Sequence, residues 1–170
     1  MGQVNSCMAE LLRARSVARL SVVLLLLALL GGCTAGDNGR ERVALNDGGV
    51  LDLSQLQGRV LVVNYWAIWC APCRHEIPEL NRLAKEDSDK VLVVGVNYDK
   101  VSGEQLAQQL EELAIEFATL LRDPAAELGH TATGVLPETL IVAPDGRLQQ
   151  VLVGPQTLAS LRAAVAQAQR

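Results

Sequence analysis

The sequence predicts an α/β fold, a mixed β-sheet sandwiched by helices, with a short β extension on its N-terminal side. Three observations carry that expectation. Two near-continuous apolar runs, "VLVVNYWA" (60–67) and "KVLVVGVNYD" (90–99), read as strands covered on both faces. Each is followed by a segment whose apolar residues recur at helical spacing. A Pro-Asp-Gly turn at 144–146 then joins two more strand-like runs into a hairpin, so parallel and antiparallel pairing meet in one sheet.

Taken in order, "VALNDGGVLDL" (43–53) reads as two short strands around an Asp-Gly-Gly turn, the predicted β extension. "LSQLQG" (53–58) reads as one helical turn, capped by Ser54 and stopped by Gly58. A longer helix is predicted from Ala71 to about Glu86. Pro72 suits its first turn, Ile77, Leu80, Leu83 and Ala84 form one apolar stripe, and Pro78 should kink it. A second amphipathic helix over 102–114 takes Ser102 as its cap, and "EFATLL" (116–121) reads as a short edge element. "DPAAELG" (123–129) reads as a brief helix with Asp123 at its cap. "ETLIVA" (138–143) and "RLQQVLVG" (147–154) are the hairpin strands, and an Ala-rich helix closes the chain.

Hydrophobic residues make up 49% of the 170 residues but aromatics only 3%, so the core must be built from Val, Leu, Ile and Ala. Part of the apolar excess lies elsewhere. "LSVVLLLLALL" (20–30) follows Arg13, Arg15 and Arg19 and precedes small residues, which is a secretory signal pattern. The run is short of the roughly 20 residues of a membrane span. It ends in Leu30-Gly31-Gly32-Cys33, which resembles the bacterial lipobox and implies that Cys33 becomes the lipid-modified first residue after cleavage. The predicted organisation is a lipoprotein signal peptide at 1–32, lipidated Cys33 with a linker to 42, and one folded domain over 43–170. Removing residues 1–32 takes three arginines and one glutamate from 15 basic and 19 acidic residues, leaving 12 against 18, a net −6. No basic patch remains to argue for nucleic acid.

Of the four cysteines, Cys7 would leave with the signal and Cys33 would carry lipid, which leaves Cys70 and Cys73. A metal clip, a structural disulfide and a redox pair are the three uses open to them. A structural zinc site wants four ligands, and this part of the chain adds only His75 and the distant His130. A Cys-x-x-Cys loop is too short to staple a fold. Redox chemistry is the leading use, and Cys-x-x-Cys beside a strand–helix–strand unit points to a thioredoxin-like motif.

From Val43 to the C-terminus the chain resembles the thioredoxin superfamily, and within it the TlpA/ResA group of membrane-tethered bacterial thiol-disulfide oxidoreductases. "NYWAIWCAPC" (64–73) matches the strand-to-active-site signature, "GVLPET" (134–139) the proline loop and "PDGRL" (144–148) the hairpin turn. The resemblance implies a cis bond before Pro137, with the Leu136 backbone beside Cys70 ready to pair with an extended substrate. It implies a site made of Cys70, Cys73, Glu76 and Pro137, with Trp69, Ala71, Pro72 and Leu136 meeting substrate. Asn64 stands where ordinary thioredoxins carry a buried Asp, whereas Glu76 matches an acid of the ResA-like proteins. "GVLPET" and "VLVG" are also similar to the cytochrome-c-maturation branch. The implied partners are oxidised exported proteins, apocytochrome c among them, and an inner-membrane electron donor of the DsbD/CcdA kind. The expected form is a lipid-anchored periplasmic monomer without metal or a separate cofactor.

The thiolate is the nucleophile, and a helix N-terminus lowers its pKa, to about 7 in thioredoxin-type motifs against about 8.5 for free cysteine. Cys70 is therefore expected as the exposed attacker and Cys73, one turn on, as the buried resolving thiol. Glu76, a turn further, is placed to take the Cys73 proton; otherwise it is an exposed helix Glu paired with Arg74 or Arg82. Trp69 is expected as an apolar wall beside the sulfur, Trp66 and Asn64 as core, and Arg74 and His75 as a solvated helix face. The Ala71-Pro72 dipeptide resembles that of reductants, and a DsbA-like disulfide donor is the alternative direction. A copper-binding assembly protein would want Cys-x-x-x-Cys and a far His such as His130. A peroxidase of the peroxiredoxin kind would want Pro and Thr where Val63 and Ala67 stand.

Overall fold

The computed structural model describes residues 42–170; the expected signal peptide, Cys33 and most of the linker lie outside the described residues. The elements are β1 (Arg42–Ala44), β2 (Val50–Asp52), β3 (Val60–Trp66), α1 (Ala71–Glu86), β4 (Val91–Asn97), α2 (Gly103–Glu112), β5 (Thr119–Leu120), β6 (Glu138–Val142), β7 (Leu148–Val153) and α3 (Leu158–Ala168). The five-stranded sheet runs β5-β4-β3-β6-β7, with β3, β4 and β5 parallel and β6 and β7 antiparallel. This is the thioredoxin-like mixed sheet that the two apolar runs and the hairpin predict.

Strand β3 is central and buried along its whole length. Its alternate residues therefore serve two layers. Val60 and Val62 pack with Leu80 and Leu83 of α1 and Leu161 and Val165 of α3, and Trp66 packs with Ile77 of α1 and Leu106 and Leu110 of α2. Leu61, Val63 and Tyr65 face the other way, onto Val43, Leu51, Leu53, Leu56 and Leu128. All three described helices thus lie on one face. The opposite face is covered by the β1–β2 hairpin and by turns.

Those turns are the segments read as short helices. At 53–58, Asp52 holds the N–H and hydroxyl of Ser54, and Gln57 and Gly58 take positive φ of 53° and 79°, which no helix accommodates. At 123–129, Asp123 does cap, accepting from the Ala125 N–H at 2.9 Å, but the chain makes a single turn and leaves through Gly129 at φ 65°. Helix α1 runs unbroken through Pro78, and Ser102 sits at the start of α2 without a side-chain capping bond. The β1–β2 hairpin docks on β5: Leu121 N–H donates to the Ala44 carbonyl and Asn46 N–H to the Thr119 carbonyl, both at 2.9 Å. An edge strand that would stand open is thereby covered.

One glycine decides how the site end of the sheet packs. A Cβ on Gly95 of β4 would lie 2.8 Å from Trp66 Nε1 and 2.9 Å from Thr119 Oγ1. Its absence lets the indole of Trp66 lie against β4, directly below the cysteines.

Candidate active site

Strand β3 ends at Trp66, and a tight turn, with the Cys70 N–H bonded to the Ala67 carbonyl, delivers Cys70 to the start of α1. Cys70 is the capping residue, with extended backbone (φ −81°, ψ 94°), and its Sγ accepts from the Cys73 N–H at 3.2 Å. A sulfur in this position receives the hydrogen bond that Ser or Asp supplies as acceptor in ordinary caps. Pro72 needs no donor in the first turn, and that turn carries no acidic residue to repel a thiolate. Cys70 and Cys73 are joined as a disulfide, with Cα atoms 5.3 Å apart.

Both cysteines are covered in this closed form, Cys70 at 2% exposure and Cys73 at 1%. The expected contrast of exposed attacker and buried partner is therefore not present. Both cysteines face inward, in a cluster with Trp66, Ala67 and Ile77 and with Leu136 at its margin. Trp69 lies at the surface. It stands 62% exposed, its Nε1–H on the Asp99 carboxylate at 3.0 Å and its ring edge-on to Tyr98. Ala71 and Pro72 lie exposed at the helix start. Arg74 reaches back to the Ile68 carbonyl and pairs with Glu112, and His75 is exposed.

Glu76 lies one turn beyond Cys73 on the same helix and has no exposed surface. The ion-pair alternative is excluded: Arg74 pairs with Glu112, and Arg82 with Glu79 and Glu86. Instead Asn64 Nδ2 donates to Glu76 Oε2 at 3.0 Å, and Thr139 Oγ1 donates to Oε1 at 3.1 Å. Burial pushes this carboxyl up to about 7, against the opposing pull of hydrogen bonds from Thr139, Asn64 and the Gln156 backbone. An acid that titrates near neutrality can take and return a proton under ordinary conditions.

The Leu136–Pro137 peptide bond is cis, as the loop motif predicts. Pro137 is buried, Leu136 half-buried and Val135 exposed at 52%. Two groups here went unread in the sequence. Thr139 pairs with Asn64 across β3 and β6, which brings it to Glu76. Glu138 faces the other side, where its buried carboxylate takes His130 Nε2 at 2.9 Å and the Thr133 N–H at 3.2 Å. The available signal for Glu138 was its place directly after Pro137. His130, to which the sequence assigned nothing, had none.

Relatives agree with this geometry. The pattern of the AhpC/TSA family matches residues 41–151. The chain belongs to that family. It is 32% identical over 109 residues to the thioredoxin-like protein YneN of Bacillus subtilis, spanning 62% of each. It is 27% identical over 159 residues to the thiol-disulfide oxidoreductase ResA of Geobacillus kaustophilus, spanning 84% of this chain and 90% of that one. The crystal structure of a DsbF homologue from Corynebacterium diphtheriae superposes with a TM-score of 0.61 at 27% identity, over 81% of this chain and 94% of the other. With Cys70 and Cys73 bonded at a helix start, this member of the family is a thiol-disulfide oxidoreductase of the thioredoxin-like class.

Proposed function

We propose that the chain works as a periplasmic, membrane-held reductase of disulfides in exported proteins, apocytochrome c among them. The buried carboxylate of Glu76, one turn behind the Cys70–Cys73 pair, is the observation that supports it most directly. In the reduced protein the Cys70 thiolate attacks a substrate disulfide, forming a mixed disulfide and releasing the first substrate thiolate. Cys73 passes its proton to Glu76 and attacks Cys70 Sγ. The Cys70–Cys73 bond forms, the mixed disulfide breaks, and the second substrate sulfur leaves with the electron pair. The substrate gains two electrons and the protein loses two. A membrane donor of the DsbD/CcdA kind restores the dithiol.

In this reading Trp69, Ala71 and Pro72 form the surface that meets substrate, and the Leu136 backbone before Pro137 pairs with its extended chain. Cys33 carries the lipid that holds the domain, 43–170, at the membrane. A Cys33→Ser protein is then expected in the soluble periplasmic fraction.

Direction is tested by the reduction potential, measured by equilibration with glutathione. The family range runs from about −270 mV for thioredoxin to about −120 mV for DsbA. A reductase falls toward the thioredoxin end; a value above about −150 mV makes the chain a disulfide donor instead.

A further inference from the structure

The acid beneath the cysteines is held by a closed triangle of hydrogen bonds. Asn64 Nδ2 donates to Glu76 Oε2 at 3.0 Å and to Thr139 Oγ1 at 2.9 Å, and Thr139 donates to Glu76 Oε1 at 3.1 Å. All three side chains are buried, and the remaining amide atom, Asn64 Oδ1, has no partner among the described residues. The amide is therefore oriented only by what its N–H groups reach.

Few other groups bear on this acid. On its own helix stand Cys73 and, a turn beyond, Glu79, whose carboxylate takes the Leu158 N–H. The loop before α3 contributes the Gln156 backbone N–H. β3 and β6 present Asn64 and Thr139 here, and Glu138 lies on the opposite face with His130.

A carboxylate with a donor on each oxygen is satisfied; a carboxylic acid in the same place is not, because its new O–H meets a donor on either side. The two sides are unequal. Relieving the clash at Oε2 requires a buried amide to turn over and expose both N–H groups to the site where Oδ1 already has no partner. Relieving it at Oε1 requires a hydroxyl to rotate about one bond.

We propose that Thr139 is the positioning residue for this proton: its hydroxyl directs the proton from Cys73 to Oε1 of Glu76, reversing from donor to acceptor, while Asn64 holds Oε2. The inference rests on the reading of Glu76 as the acceptor. The Thr hydroxyl keeps its own hydrogen throughout, so the net transfer is one proton from the Cys73 thiol to the Glu76 carboxylate.

The test uses the protein loaded at Cys70 as a mixed disulfide with thionitrobenzoate, and follows release of that coloured thiol against pH as Cys73 resolves it. Thr139→Val removes the donor to the anion, so the pH midpoint moves up by about half a unit or more. Thr139→Ser keeps the hydroxyl and keeps the wild-type midpoint. In a Glu76→Gln background, Thr139→Val moves nothing further. A Ser variant that shifts as far as the Val variant assigns the effect to packing and overturns the proposal. So does a Val variant without a shift while Glu76→Gln still changes the profile, and in that case the role of Glu76 stands. If Glu76→Gln leaves the wild-type profile intact, both fall. Thermal melts accompany each variant, with Thr139→Ala replacing Val should the latter not fold.

Discussion

Asn64 and Glu76 stand 12 residues apart in the chain and meet inside the protein, the amide of one 3.0 Å from the carboxylate of the other. The resemblance to thioredoxins places an acid at the Asn64 position. Here the strand supplies the amide and the helix supplies the acid, one turn from Cys73 and facing the same buried space. The acid at this site thus stands on the helix rather than on the strand.

That acid makes stability depend on pH in a stated direction. Its pKa is about 7 in the fold and 4.5 in the reference state, so the folded protein binds more protons between those values. The stability it supports is fully present below pH 4.5, falls as pH rises to about 7, and is then flat; the loss is about 3 kcal/mol at most. Denaturant unfolding of the oxidised protein at pH 5 and pH 8 measures it. Glu76→Gln is expected to abolish this part of the difference, and an equal pH slope in the variant would count against a neutral-range acid.

Trp69 is the most exposed of the large apolar side chains described, and it is held by Asp99 and Tyr98. Trp69→Ala should lower kcat/KM on a protein disulfide by about tenfold or more, about 1.4 kcal/mol, while the melting temperature changes little. Unchanged kinetics on protein substrates would remove this ring from the docking surface.

Gly95→Ala drives a methyl group into Trp66 Nε1 and Thr119 Oγ1, both buried. The expected loss is about 1–3 kcal/mol of stability, with a change in tryptophan fluorescence as the indole shifts. A variant of wild-type stability would show that the Trp66 packing yields easily.

Glu138 ties the loop before Pro137 to the sheet through His130 and the Thr133 N–H. Glu138→Ala leaves both without their partner and costs about 1–3 kcal/mol. Hydrogen exchange across 130–136 should speed up while the β3–β4 core stays protected. Uniform exchange rates in the two proteins would mean that the loop is held by other contacts.

The parts legible in the sequence are those fixed by local pattern. The apolar runs at 60–67 and 90–99 became β3 and β4, and the helix expected from Ala71 to about Glu86 became α1. The Cys-x-x-Cys spacing, the bond before Pro137 and the acid at Glu76 all lie on motifs contiguous in the chain. The failures have a shared physical source. Segments 53–58 and 123–129 carry capping residues but too few residues to pay the cost of helix nucleation, so tertiary packing shaped them as turns. The Asn64–Thr139 contact joins residues 75 apart through the β3–β6 register, which no local signal encodes. The inward facing of both cysteines follows from the cluster under the helix start, again assembled from distant elements.

The start of α1 is expected to acidify the sulfur of Cys70 and make it the attacking group. Alkylation of the reduced protein with iodoacetamide, followed residue by residue against pH, measures this directly. Cys70 is expected to be modified first, with half-maximal rate at about pH 7 and clearly below the value of about 8.5 for free cysteine. A midpoint at 8.5 or above for Cys70, or faster modification of Cys73, would contradict it.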